Sequence, residues 1–198
     1  VNLLVKVNDQ TGETVQYSTT SQLQTDSGVQ ITNISDAGAY LAIGLWGVRK
    51  NGENCYVALV KKTNGRMFCL SISGVNYFTP VDGNQMSAHL PNIQSDASGN
   101  NIYIGSFGAG LRKINVSDPS RQVETILIDK DIDAYLDNDF IVNSDGDVLA
   151  SVSDRLTYAH YLRLYRSTGG YITVPLRGSS FANCYVNGVG ADSVNFYY

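Results

Sequence analysis

Charged side chains are scarce in this chain: 16% of its 198 residues, against about a quarter in an ordinary soluble domain. Basic ones are scarcer still. The 14 Lys and Arg are outnumbered by 18 Asp and Glu, for a net charge of −4, and no basic run exceeds the pair Lys61-Lys62. Phosphate backbones are held by clustered Lys and Arg, so the composition argues against nucleic acid as a partner. No apolar run approaches the ~20 residues of a membrane-spanning helix, and no membrane span is expected. Helical periodicity is weak throughout, so little helix is expected. A P-loop, a G-x-S-x-G elbow, a C-x-x-C pair and an H-E-x-x-H helix are all missing. The histidines are His89 and His160. Neither has an identifiable catalytic partner in the sequence, and both read as surface or hydrogen-bonded structural residues.

Cysteine is limited to Cys55, Cys69 and Cys184. An odd count does not make a disulfide framework. Cys55 and Cys69 flank Asn64-Gly65, which reads as a two-residue hairpin loop. That register sets Val60 opposite Cys69 and Cys55 opposite residue 74. Buried thiols acting as small hydrophobes are then expected, with a Cys55–Cys69 bridge as the alternative. The first residue is Val1 and no leader is recognisable, so the chain reads as processed or excerpted from something longer.

What is present in quantity is turn chemistry and β-forming residues: 19 Gly and 13 Tyr, with 43% of the chain hydrophobic. Two kinds of hairpin alternate. The first is strand, polar tip, strand, and its copies start at residues 3, 55, 110 and 160, in steps of 52, 55 and 50. Their tips carry Gln10-Thr11-Gly12, Asn64-Gly65, Ser117-Asp118-Pro119-Ser120 and Gly169-Gly170. The second kind starts at 29, 92, 139 and 182, and three of its four copies set Ser-Asp just before a Gly and an apolar strand. An Asp at a turn start accepts nearby backbone N–H groups, and Gly completes the bend.

Four strands per unit of about 50 residues is the pattern of a β-propeller blade. The expected fold is therefore all-β: a single domain over residues 1–198, with about four blades. Three are complete in sequence and one is a composite of both terminal hairpins. A segment of a larger propeller is the alternative, and a β-sandwich would leave the repeat unexplained.

The copy at residues 90–116, "LPNIQSDASGNNIYIGSFGAGLRKINV", resembles the propeller repeat of bacterial two-component regulators. The matching residues are Asp96, Gly99, Tyr103, Ile104, Gly105, Ser106, Gly108, Gly110, Leu111, Arg112 and Lys113, with Ile102-Tyr103 in place of the usual Trp. The copies at Asp36-Ala37-Gly38 and Asp145-Gly146 match more loosely. The resemblance implies an extracytoplasmic sensor-type propeller. Related propellers occur in secreted polysaccharide enzymes.

Asp129, Asp131, Asp133, Asp137 and Asp139 place five carboxylates in eleven residues. Calcium, an oxygen-seeking cation, is a possible cofactor at Asp129, Asp131, Asp133 and Asp137. The spacing starts like an EF-hand loop and then departs from it at Ala134 and Phe140; a solvated loop with Lys130 as counter-charge is the simpler alternative. Trp46, Phe107 and Tyr158 fall just past second-strand ends, in loops that would share one face of a propeller. Aromatic rings with polar edges suit glycans and protein surfaces. The expected function is a non-catalytic extracytoplasmic module (secreted, periplasmic or cell-surface) binding a glycan or a protein partner there. The alternatives are a propeller-based polysaccharide lyase or hydrolase, and a structural surface or filament subunit self-associating through its terminal strands. The four turn aspartates, Asp36, Asp96, Asp145 and Asp192, read as structural before catalytic. Asn33 and Asn115 open glycan-acceptor tripeptides.

Overall fold

The computed structural model describes residues 3–19, 30–46, 49–50, 53–70, 72–73, 92–106, 110–118, 121, 123–127, 134–154, 160–174, 190–191 and 196–197. The described residues contain strands and turns and no helix. In chain order the strands are β1 (Leu3–Val7), β2 (Thr14–Thr19), β3 (Gln30–Ala37), β4 (Tyr40–Trp46), β5 (Arg49–Lys50), β6 (Glu53–Cys55), β7 (Val57–Lys61), β8 (Met67–Cys69) and β9 (Ile72–Ser73). They continue as β10 (Asn92–Ser95), β11 (Asn101–Ser106), β12 (Gly110–Asn115), β13 (Val123–Leu127), β14 (Ala134–Val142), β15 (Val148–Asp154), β16 (His160–Tyr165), β17 (Tyr171–Val174), β18 (Gly190–Ala191) and β19 (Phe196–Tyr197).

Three four-stranded antiparallel sheets are formed, β3-β4-β7-β8, β10-β11-β12-β13 and β14-β15-β16-β17, here the first, second and third. Hairpins β1-β2 and β18-β19 are two-stranded, and β5-β6-β9 is a small ribbon inserted beside the first sheet. Every hairpin expected from the repeat is present, the last of them only as the two short strands β18 and β19.

The sheets stack face to face because their strands are apolar on both sides. Alternation along a strand sends neighbouring residues to opposite faces. On β11, Ile102 and Ile104 point with Ile114 toward the first sheet and join Ala42, Val57 and Leu59 in one cluster. Tyr103 and Leu111 point the other way and pack with Phe140, Val148, Ala150, Val152 and Tyr165 of the third sheet. On its far side the first sheet meets the β1-β2 hairpin, where Leu4 joins Ile43, Leu45, Ala58 and Val60. Full burial of one such aliphatic side chain is worth about 2 kcal/mol, and this double-sided apolar load makes the stack the core of the chain.

The first strands of the three sheets run side by side, and polar groups join them. Asn33 Nδ2 donates to Asn92 Oδ1 at 3.2 Å, and the hydroxyls of Ser35 and Ser95 lie 3.3 Å apart. Gln94 bridges the next pair like an extra peptide group. Its amide nitrogen donates to the Phe140 carbonyl, and its Oε1 accepts the Val142 N–H at 3.3 Å. The asparagine and serine contacts run in the same order along β3 and β10, and the Gly146 turn of the third sheet meets Tyr103 and the tip side of β12 and β13, so the three sheets share one orientation. All the β3-β4-type turns then lie at one end of the stack, together with the tips of the outer hairpins.

At that end the turns touch through their backbones. Gly38 and Gly99 both have positive φ, and a Cβ built on Gly99 would lie 2.6 Å from the Gly38 nitrogen. The turn aspartates do what their position implies. Asp36 accepts the Gly38 N–H at 3.1 Å and pairs with Lys62 Nζ at 2.6 Å. Asp96 accepts from Ser98 Oγ, Asn101 Nδ2 and the Asn101 N–H. In the third sheet the role passes to Asn143, whose Oδ1 takes the N–H groups of Asp145 and Asp147. Asp192 lies outside the described residues.

The hairpin from β7 to β8 corrects the expected register. Lys61 N donates to the Arg66 carbonyl and Gly65 N to the Lys61 carbonyl, so four residues turn the chain, with Gly65 last and at φ +68°. Val60 therefore opposes Met67, and Cys69 opposes Ala58. Cys55 pairs with Ile72 across the ribbon, two residues nearer than expected. This two-residue slide brings Cys55 and Cys69 to a Cα separation of 5.9 Å, and they form a disulfide. The expectation of free thiols at these positions is overturned; Cys184 lies outside the described residues.

Candidate functional site

Two clefts open between neighbouring sheets, both at the end that carries the glycine turns. The smaller, about 390 Å³, lies between the first and second sheets among Tyr40, Gly99, Asn100, Ser117, Asp118 and Arg121. Arg121 shapes it. Its backbone is held at φ +44°, a sparsely populated conformation for a non-glycine residue. Its guanidinium lies 4.9 Å from the Phe68 ring centre and 5.4 Å from that of Tyr40, and Nη2 donates to the Tyr40 hydroxyl at 3.1 Å. Tyr40 and Phe68 meet edge to face at 5.9 Å. Cation and rings thus brace one another, and the arginine forms the wall of this cleft.

The larger cleft, about 430 Å³, lies between the second and third sheets. Both volumes fall in the range of small-molecule sites, roughly 300–1,000 Å³. Lys113 and Glu124, cross-strand neighbours on β12 and β13, come from one side. Tyr165, Arg166, Ser167 and Tyr171 come from the other, and Tyr103 reaches in from β11. Gly146 forms part of the floor: a Cβ there would lie 3.0 Å from the Tyr103 hydroxyl. Gly169 and Gly170 leave open space at the rim. The rings of Tyr165 and Tyr171 are 5.5 Å apart, and the Arg163 guanidinium sits 4.6 Å from the centre of the Tyr171 ring.

The electrostatics follow from these contacts. Burial pushes the Tyr103 phenol above its ordinary value, and the carboxylates of Asp96, Glu124 and Asp147 push the same way. Burial also raises Tyr165; its neighbour Tyr171 adds to the effect, while the charge and hydrogen bond of Arg163 oppose it. Both phenols therefore stay protonated and able to donate across neutral pH. Asp147 is buried, which favours its neutral form. The Ser167 N–H at 2.8 Å and the Arg166 guanidinium at 2.7 Å outweigh burial and hold the carboxyl below its ordinary 3.8.

A pH dependence follows. A carboxylate with a lowered folded-state pKa contributes stability above its unfolded value and loses it as pH falls through the folded one. The Asp147 contribution is then complete above about pH 4 and fades below it. The stability gap between wild type and Asp147→Asn, read from urea midpoints between pH 7 and pH 2, is expected to be widest at neutral pH and to narrow below pH 4. A gap that stays constant to pH 2 would contradict the assignment.

Of the three residues expected to form the aromatic site, only Trp46 is described, at the end of β4 away from the glycine turns. The expectation that Trp46 lies in a loop past the strand is corrected: it is the last residue of β4 itself, its backbone paired with Gln30, because the pairing with β3 extends to that residue. Phe107 and Tyr158 lie outside the described residues, as do Asp129, Asp131, Asp133 and His89. Asp137 lies within β14, where pairing to β15 jumps from Leu136 to Phe140. Among the described residues, no group of three or more His, Cys, Asp or Glu comes together to hold a metal, and no helix is long and apolar enough to cross a membrane. Of the acceptor asparagines, Asn33 is engaged with Asn92. Asn115 is exposed, and its Oδ1 takes the N–H groups of Ser117 and Asp118.

Sequence reasoning passed over the tyrosine-lined cleft. A signal was there: Tyr103, Lys113 and Tyr165 occupy strand positions whose alternation directs them out of the second and third sheets toward each other. No protein-family model matches the chain, and no curated protein matches it.

Proposed function

We propose that this chain is a β-propeller-type binding module of an extracytoplasmic compartment, recognising a glycan without transforming it. The observation that carries the reading is the stack of three like-oriented four-stranded sheets, joined along their first strands. The half-sheets at either side fit the same scheme. β1-β2 packs on the first sheet as a third and fourth strand would, and β18 lies beside β14 as the next first strand would. Joined, the two hairpins would make a fourth blade and close a ring. The likeness to the two-component-regulator repeat at residues 90–116 supports the same architecture. The Cys55–Cys69 bridge supports an oxidising compartment, where such bonds persist.

In this reading the glycan is met at the end where the second strands finish, by Trp46, Phe107 and Tyr158. The wild-type protein is expected to retain specific members of a glycan array and to release no product from the polysaccharides it retains. Alanine at all three positions is expected to weaken retention at least tenfold with an unchanged far-UV CD spectrum. Unchanged retention overturns this placement of the site, and product release overturns the non-catalytic reading.

A further inference from the structure

We propose a second saccharide site, at the end of the stack that carries the glycine turns, in the cleft between the second and third sheets. Its ligand class is a neutral oligosaccharide. The proposal extends the glycan reading but stands on separate residues.

Three properties of the cleft carry it. The first is charge of both signs side by side. Lys113 and Glu124 are adjacent on β12 and β13, and Arg166 is neutralised by Asp147 at 2.7 Å. A phosphate or carboxylate entering here would meet Glu124 as well as Lys113, and a cation Lys113 as well as Glu124, so neither gains a net attraction. Sugar hydroxyls donate and accept together, and they match paired ions and phenols without bringing a net charge. The second is the aromatic wall. Tyr171 is 42% exposed, and the Arg163 guanidinium lies over its ring. The tilted ring of Tyr165 adds a second apolar surface. The C–H face of a pyranose packs on such rings while their hydroxyls reach its edge. The third is backbone access. Gly146, Gly169 and Gly170 carry no side chain that would fill the space, so a ligand can approach the floor and rim closely.

The test is calorimetric titration of the whole chain with cellohexaose, maltohexaose and chitohexaose, with hexagalacturonate as the charged comparator. At least one neutral hexasaccharide is expected to bind, and more tightly than hexagalacturonate. Tyr171→Ala is expected to weaken that binding at least tenfold, and Glu124→Gln and Lys113→Met several-fold each. The last two keep side-chain size at non-core positions, so their effect is readable even if Tyr171→Ala unfolds. Binding that survives Glu124→Gln and Lys113→Met overturns the proposal, as does tighter binding of hexagalacturonate or no binding of any neutral hexasaccharide. The triple alanine variant at Trp46, Phe107 and Tyr158 separates the two sites. Loss there with normal binding by the cleft variants supports only the aromatic end and overturns this proposal. The reverse pattern supports the cleft alone.

Discussion

Replacing Gly99 with alanine is expected to destabilise the protein by roughly 3–5 kcal/mol. Two costs combine. Gly99 sits at φ +68°, where an L side chain is strained by about 1–3 kcal/mol. The added Cβ would also lie 2.6 Å from the Gly38 nitrogen and 2.9 Å from its Cα, both backbone atoms of the adjacent sheet's turn. Backbone cannot rotate away as a flexible side chain can, so the two turns must separate, and overpacking of this kind costs about 1–3 kcal/mol more. Gly12→Ala isolates the first cost. Its φ is +70°, nothing lies within 4 Å of the new Cβ, and about 1 kcal/mol is expected. In a chain of this size each kcal/mol moves the melting temperature by roughly 2–4 °C. Gly99→Ala should therefore melt about 10 °C below wild type, and Gly12→Ala only a few degrees below. Equal shifts for the two variants would mean that the turns of the first and second sheets do not meet.

The second large effect is expected from the disulfide. Cys55 and Cys69 close a loop with a sequence separation of 14. Cross-linking a loop of that length removes about 3 kcal/mol worth of chain entropy from the unfolded state. Cys55→Ala with Cys69→Ala is expected to lower unfolding free energy by about 2–4 kcal/mol in urea titrations. The bond also ties the β5-β6-β9 ribbon to the outer strand of the first sheet, so the ribbon's amides should lose hydrogen-exchange protection before those of β4 and β7 in the variant. Peptide mapping of the unreduced protein should recover residues 55 and 69 in one linked species. Recovery of both as separately alkylated thiols, or a stability change under 1 kcal/mol, would contradict the bridge.

Much of this architecture was legible in the residues. Gly12, Gly38, Gly65, Gly99, Gly146, Gly169 and Gly170 all have positive φ, and their spacing marked the hairpins because few other residues tolerate that conformation. Alternating β-branched and aromatic runs between them marked the strands. The role of Asp36 and Asp96 as turn acceptors was legible for the same local reason, since each bonds to groups within five residues. The Cys55–Cys69 pairing was not. It depended on whether the Asn64-Gly65 loop took two residues or four, a choice of hairpin geometry that shifts every later pair by two.

An all-β chain, the order of its hairpins and the repeat of four strands follow from the residues alone, because each is set by conformational preferences a few residues long. How the sheets lie against one another, and with it the shape of the clefts between them, was set by tertiary packing. Arg112 and Arg163 show the difference. They occupy matching places in the second and third sheets, opposite Ile104 and Ala150, and both are buried. In the first sheet Ala58 stands opposite Ile43. Nothing local distinguishes an exposed strand arginine from a buried one; the neighbouring sheet does. The inter-sheet clefts are legible only at this level for the same reason: their facing walls come from residues 20 to 84 positions apart, brought together by burial of the apolar faces between sheets.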